Sequence, residues 1–240
     1  IHDFSSLFGL GVRSGIDSFS ERSGLLPSRK WKKDKKGEPW FPGETLNIGI
    51  GQGYMLTTPV QLAIATATIA NRGYRPTPKL VKKFDGNPLE TNSIIKSDFE
   101  GDAWHDGTSN DSTIDSILHL RRDVSDTHWQ QIIDGMEAVV HDAKKGTARA
   151  IGQGINYRIA GKTGTAQVVG IAQGEEYDAD ALSERQRDHA LFIGFAPLEQ
   201  PKVAVAVIVE NAGGGSTVAA PIARKIFDWV LESAQEKNKS

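Results

Sequence analysis

The sequence predicts an α/β chain of the α+β type, an antiparallel sheet flanked by helices, on three observations. Two apolar runs, Ala190 to Ala196 and Val203 to Glu210, are joined by Pro197-Leu198-Glu199-Gln200-Pro201, a connection tight enough to make them an antiparallel hairpin. From Asp126 the residues Trp129, Ile132, Ile133, Met136, Val139 and Val140 recur at helical spacing until Gly146 ends the pattern. The closing segment from Val218 to Leu231 sets Ile222, Ile226 and Val230 on one stripe with Ala223 and Phe227 beside it, a helix suited to packing on a sheet.

Other elements follow in order. Phe4, Leu7, Phe8 and Leu10 fit the tail of an amphipathic helix closed by Gly9 and Gly11. Residues Ser20 to Pro42 are dense in charge, Gly and Pro, with the basic run Arg29 to Lys36 around Trp31, and read as an exposed, solvated loop. Thr58-Pro59-Val60-Gln61 combines a threonine cap, a proline at the first helical position and a capping-box glutamine. The helix it starts should run to about Asn71 and, being apolar on all sides, should be buried. The stretch 85–122 is weakly patterned and reads as a variable loop. Tyr157 to Val169 is a third strand candidate, and Val203 to Val209, apolar at both parities, should be covered on both faces.

With 240 residues, 38% hydrophobic and 24% charged, the chain can bury a sizeable core. Lys plus Arg total 28 against 30 Asp plus Glu, a balance that argues against a nucleic-acid partner. The lack of cysteine excludes disulfides, thiolate ligands and cysteine nucleophiles. No apolar run approaches the ~20 residues of a membrane-spanning helix, and the chain opens on Ile1 without Met, as a processed protein or a fragment would.

Chemistry concentrates in Ala160-Gly161-Lys162-Thr163-Gly164-Thr165-Ala166-Gln167, where a cation, two hydroxyls and a glycine share a strand. Lys162 offers a point charge and Thr163 and Thr165 offer donors for a carboxylate, while Gly164 leaves room for an extended peptide to pair with the strand edge. Strand alternation sends Lys162 and Thr163 to opposite faces, so one site can use both only at a twist, a bulge or an edge. A plain solvent-exposed edge would also carry such residues.

Other groupings carry less. Gly214-Gly215-Ser216-Thr217-Val218 lacks the last glycine of a nucleophile elbow, and no Gly-Lys-Ser follows Gly213 to Gly215. Ser183, Asp188 and His189 are too close in sequence to aim at one another as a triad, and Asp188 with His189 reads as a structural pair before a strand. The six histidines show no metal-ligand spacing, and no cofactor is expected.

Lys-Thr-Gly is one signature of the penicillin-recognising serine enzymes. Around it, Gly49-Ile-Gly-Gln-Gly-Tyr54, Thr58-Pro-Val-Gln-Leu-Ala63, Ala70-Asn-Arg-Gly73, Gly146-Thr-Ala148, Arg187-Asp-His189 and Phe195-Ala-Pro197 stand in the order seen in class B penicillin-binding proteins. The chain resembles that family over nearly all its length outside 85–122. Gly49-Ile-Gly-Gln-Gly53, Gln167, Glu184-Arg-Gln-Arg-Asp-His189 and Glu210-Asn-Ala-Gly-Gly214 make it most similar to the elongation, or rod-shape, transpeptidases of the penicillin-binding protein 2 type.

The resemblance implies a β-lactamase-like serine-transpeptidase fold with a five-stranded sheet, of which residues 1–240 would be the C-terminal part holding three strands. It implies that Lys162 assists proton transfer and electrostatics, that Thr163 and Thr165 bind the carboxylate of a D-Ala-D-Ala stem peptide or a β-lactam, and that the Thr165 N–H is an oxyanion donor. The nucleophile, in a Ser-x-x-Lys motif, would lie upstream of this chain. Ser93-Ile94-Ile95-Lys96 matches by letters but follows Gly-Ile-Gly-Gln-Gly, the wrong order for the family. The chain alone is therefore expected to be inactive. The family further implies peptidoglycan cross-linking during elongation, a periplasmic site on an inner-membrane anchor outside this chain, and a rod-complex glycan polymerase and scaffold as partners. A non-catalytic penicillin or peptide sensor and a serine β-lactamase remain the alternatives.

Overall fold

In the computed structural model, residues 1–81, 83–84, 87–88, 124–168 and 183–237 are described. In chain order the elements are α1 (His2–Ser6), α2 (Arg29–Lys36), α3 (Pro42–Gly49), α4 (Pro59–Ala70), β1 (Lys83–Phe84), β2 (Asn87–Pro88), α5 (Asp126–His141), β3 (Ala160–Ala166), β4 (His189–Ala196), β5 (Val203–Val209) and α6 (Ala220–Lys237). β1 and β2 form a small antiparallel ladder of their own. Apart from Asn87–Pro88, the stretch 85–122 lies outside the described residues, and with it Ser93.

The sheet has the order β3-β4-β5 and is antiparallel throughout. Alternation along β4 divides its side chains between two layers. Ala190, Phe192 and Ala196, with Val205 and Val207 of β5, pack under Ala219, Ala220, Ala223, Phe227 and Leu231 at and within α6. On the other face Phe195 and Ala160 meet Ile133 and Met136 of α5, with Ile69 and Ala70 of α4 and Ala204 of β5 beside them. Both faces of β5 are thus covered, as its doubly apolar sequence requires. Phe192, Phe195 and Phe227 are fully enclosed, and burying such a side chain stabilises by about 1.5–3 kcal/mol.

Helix starts obey their local signals. Thr58 accepts from Gln61 N at 3.2 Å while Gln61 Oε1 accepts from Thr58 N at 2.9 Å, the reciprocal capping box. The buried Gln61 also donates to Val12 O and Ser23 O, both at 2.7 Å, stitching the N-terminal segment to α4. Ser125 caps α5 through His128 N.

Five expectations are corrected. The segment from Ser20 to Pro42 is not wholly a loop, because Arg29–Lys36 forms α2, capped by Ser28 Oγ on Trp31 N at 3.0 Å and closed by Gly37 at φ 70°. Nor is its basic run all solvated: Lys32 is 1% exposed and its ammonium lies 2.6 Å from Glu44 and 4.3 Å from the Phe41 ring centre. On α6 the face against the sheet is Ala223, Phe227 and Leu231, whereas Ile222 and Ile226 are exposed, as is Trp229. Small alanines let the helix approach the sheet more closely than isoleucines would. Finally, α5 stops at His141 rather than at Gly146, and α3 forms where no helix was expected.

Two contacts fix β3 to its surroundings and yield tests. A Cβ at Gly215 would lie far inside contact distance of the backbone oxygens of Leu191 and Gly164. Gly215→Ala should therefore cost about 1–3 kcal/mol, read as a fall in the urea midpoint; an unchanged midpoint would contradict the packing. His141 Nε2 accepts the Ile159 N–H at 3.0 Å, immediately before β3. Burial holds His141 below its ordinary 6.5, with Arg158 acting the same way and Glu137 and Glu199 opposing. The unfolded chain then binds the proton first, so this contribution to stability is complete above 6.5 and is lost as pH falls below it, levelling off under the depressed folded value. Urea midpoints of the wild type should drop more steeply between pH 7.5 and 5.5 than those of His141→Gln, which keeps an acceptor without titrating. Equal slopes would rule out the linkage.

Candidate active site

Every residue of β3 from Ala160 to Ala166 has a partner on β4, with Lys162 opposite Ile193, Thr163 opposite Phe192, Gly164 opposite Leu191 and Thr165 opposite Ala190. The ladder contains no bulge. The other side of β3 has no strand partner among the described residues. Two side chains reach backbone oxygens of this strand: Gln52 Nε2 donates to Thr165 O at 3.4 Å and Lys162 Nζ donates to Thr163 O at 2.6 Å. Both acceptors are odd-numbered, and in an antiparallel strand a residue's N–H and C=O point the same way. Thr163 and Thr165 accordingly turn their N–H and C=O groups toward the open edge.

The alternation of Lys162 and Thr163 is therefore reconciled by reach and not by a bulge. Lys162 leaves the sheet on one face, and its four-carbon stem folds back along the strand until the ammonium meets the carbonyl of Thr163. Thr163 leaves on the other face, where its hydroxyl lies 3.0 Å from that of Thr147. Among the described residues Lys162 has no carboxylate partner. A cation, two facing hydroxyls and outward N–H groups thus line one strand edge, an arrangement able to receive a carboxylate and an extended backbone.

Thr147 owes its place to its neighbours. A Cβ on Gly146 would fall 2.6–2.9 Å from the carbonyl oxygens of Asp142, Val139 and Ala138, so only glycine lets the chain fold this tightly under the end of α5. On the other side Ala148, 2% exposed, donates its N–H to Val139 O at 2.9 Å. Asp142 accepts from Lys144 N and Lys145 N, and these bonds hold its carboxyl below the ordinary carboxylate range.

At the far end of β3 the Arg187-Asp188-His189 segment is structural in its contacts. Asp188 is 5% exposed and accepts from Val168 N at 3.4 Å, while its carbonyl accepts from Gly213 N. His189 Nδ1 accepts from Asn211 N at 2.9 Å, and Asn211 Nδ2 donates to the carbonyls of Arg185 and Arg187. Ser183 bonds to Gln186 instead of His189, so no triad is assembled. Gly215 opens the turn into α6 rather than a phosphate loop. Among the described residues no cluster of His, Asp and Glu could hold a metal ion.

Lys162, Thr163, Gly164 and Thr165 thus share one edge as their spacing suggests. Two residues that reach it were singled out only as letters of longer motifs. Gln52 stands in Gly49-Ile-Gly-Gln-Gly53 and Thr147 in Gly146-Thr-Ala148. Those motifs were the only local signal, because neither contact is visible from spacing.

A model of the penicillin-binding protein transpeptidase domain matches residues 1–228. The peptidoglycan D,D-transpeptidase MrdA of Haemophilus influenzae is 39% identical over 225 residues, covering 93% of this chain and 31% of that protein. MrdA of Acinetobacter baumannii is 40% identical over 225 residues, again 93% of this chain and 30% of the relative. The chain spans about a third of the length of the curated relatives it matches. Among solved structures, Pseudomonas aeruginosa PBP2 in complex with WCK 5153 superposes with a TM-score of 0.72 at 42% identity, over 96% of this chain and 42% of that one. The complex of PBP2 and MreC from Helicobacter pylori gives 0.64 at 26% identity, over 95% of this chain and 38% of that one. The strand edge just described lies within the matched residues; the chain is similar to MrdA and PBP2 proteins, and it belongs to the penicillin-binding protein transpeptidase domain family.

Proposed function

We propose that residues 1–240 are the C-terminal part of the transpeptidase domain of a peptidoglycan D,D-transpeptidase of cell elongation, and that they supply the Lys-Thr-Gly half of its site. The observation that carries this reading is the open edge of β3, where Lys162, Thr163, Thr147 and the outward N–H of Thr165 converge. A stem peptide ending in D-Ala-D-Ala is an extended chain with a terminal carboxylate. It suits this edge in both respects: backbone pairing beside Gly164, and charge and hydroxyl contacts at Lys162, Thr163 and Thr165. A β-lactam carries the same carboxylate beside a reactive carbonyl.

In this reading a serine outside the chain attacks the penultimate D-Ala carbonyl. The carbonyl π pair moves onto oxygen, and the oxyanion is held by the Thr165 N–H and the serine's own N–H. Collapse expels D-Ala, whose nitrogen takes a proton, and leaves an ester on the serine. An amine of a neighbouring stem peptide then attacks that ester, forming the cross-link and releasing the serine. Lys162 contributes a positive field and a path for the proton, and no cofactor is required. The only Ser-x-x-Lys in the sequence, at Ser93, follows the Gln52 segment, opposite to the family's order.

The proposal extends to setting and partners. The likeness to a PBP2 that is complexed with MreC supports a scaffold of that kind as partner, together with a glycan polymerase. Such an enzyme works at the periplasmic face of the bacterial inner membrane. Among the described residues no helix is long and apolar enough to cross a membrane, so this reading assigns the anchor to another segment.

A fluorescent penicillin tests the proposal. The full-length protein should be labelled stoichiometrically on a serine outside residues 1–240, and Lys162→Ala should slow acylation by about 10²-fold or more. The isolated chain should remain unlabelled. Failure of the full-length protein to label would refute the function, and an adduct on Ser93 would refute the division of the site.

A further inference from the structure

Gln52 reaches the open edge of β3 across 113 residues of sequence. Its backbone is firmly seated. Gln52 N donates to Asn47 O at 2.8 Å and Gly51 N to Ile48 O at 2.9 Å, closing the end of α3. Gly51 and Gly53 on either side both adopt φ 76°, a left-handed conformation that glycine takes without strain. α3 is itself anchored by Ile48, 7% exposed, and by Glu44, which holds the buried Lys32 ammonium. The Gln52 amide is thus presented to β3 from a fixed mount.

Its acceptor, the Thr165 carbonyl, belongs to the residue whose N–H is assigned to the oxyanion. Carbonyl and N–H point to the same edge, so a rotation of residue 165 that moves one moves the other. Thr165 is also the last but one residue of β3, where only the Ala166–His189 pair remains beyond it. An oxyanion donor gains its effect from being fixed before charge develops. We propose that Gln52 is a positioning residue for acyl transfer: its N–H donor holds the Thr165 carbonyl, and through it the Thr165 N–H, in the orientation that receives the oxyanion. This rests on the acyl-transfer function proposed above. It predicts an effect on the acylation step itself and little on the first encounter with ligand.

The test uses the full-length protein and a fluorescent penicillin, measuring the acylation rate constant and the dissociation constant of the non-covalent complex from pH 8 to 4 for wild type, Gln52→Ala and Gln52→Glu. Glutamate matches glutamine in shape but donates only when protonated. At pH 7.5 both variants should acylate about tenfold more slowly, with dissociation constants within about twofold of the wild type, since the bond is made before encounter and strengthens no ground-state contact. As pH falls through the carboxyl range near about 4.3, the ratio of Gln52→Glu to wild type should climb toward unity while that of Gln52→Ala stays flat. Using ratios cancels the pH dependence that all three proteins share. Acylation of Gln52→Ala at the wild-type rate would overturn the proposal, as would two variants with the same ratio at every pH, which would mean that Gln52 merely fills space. A wild type that no penicillin labels would instead overturn the functional reading, and the positioning role with it.

Discussion

Antiparallel pairing satisfies only half of the backbone of β3, and the rest of the candidate site follows from how the other half is managed. β4 takes up the groups of one parity, leaving those of Thr163 and Thr165 turned outward. A bare strand edge in water invites another strand. Here Lys162 curls onto the Thr163 carbonyl and Gln52 reaches the Thr165 carbonyl, so the acceptors are covered by side chains with which a ligand can share them. The outward N–H groups stay available, and a carbonyl with two lone pairs can accept a second donor. The features that keep the edge from unspecific pairing are therefore compatible with specific pairing to a short extended peptide.

The remainder of the fold makes that edge rigid from behind. Gly161 lets the Phe192 ring lie against β3, and Gly215 brings the turn before α6 onto the β3–β4 ladder at Gly164 and Leu191. The end of α5 acts at two points along β3. His141 holds the Ile159 N–H at the base of the strand, and the tight turn at Gly146 delivers Thr147 to the hydroxyl of Thr163. A shift of this one helix end would disturb both the strand's root and its middle. Packing of Ile133 and Met136 against Phe195 and Ala160 opposes such a shift.

Much of this architecture was legible because its signals are short in range. The proline-bounded hairpin, the capping box of Thr58 and Gln61 and the periodicity of α5 each lie within a few residues and need no partner to be read. What escaped was set by partners far away or by shape. α2 carries a serine cap and a closing glycine, yet its lysines dominate the reading, and it takes Glu44, with Glu38 beside it, to make a buried Lys32 tolerable. The isoleucine stripe of α6 is more hydrophobic than the face that packs, but alanines 219, 220 and 223 fit the sheet more closely. For Lys162 and Thr163 the alternation argument was sound, and of the settings it allowed, a twist, a bulge or an edge, the described sheet uses the edge, where the reach of the lysine stem joins the two faces. Gln52 and Thr147 were written inside recognisable motifs, but their meeting with β3 exists only in the fold.

Charge gives one more reason to assign the edge to an anionic ligand. The cations that the structure uses as braces are each matched locally. Lys32 faces Glu44, Arg158 bridges Glu137 and Glu199, and Arg224 grips Asp228, which also accepts from Tyr157. These pairs spend their charge on architecture. Among the described residues Lys162 bonds only to a carbonyl dipole, which orients an ammonium without neutralising it. In a chain whose 28 basic and 30 acidic residues nearly balance, attraction for a carboxylate has to come from such a local imbalance and not from the overall field. An ammonium suits the task better than a guanidinium, because a compact point charge on a flexible stem can serve a bound carboxylate and then a moving proton. Two hydroxyls 3.0 Å apart at Thr147 and Thr163 add donors that turn freely toward either oxygen. On the function proposed above, together they would give the edge a preference for a chain terminus over the middle of a peptide, the selectivity that an enzyme acting next to a free carboxylate needs.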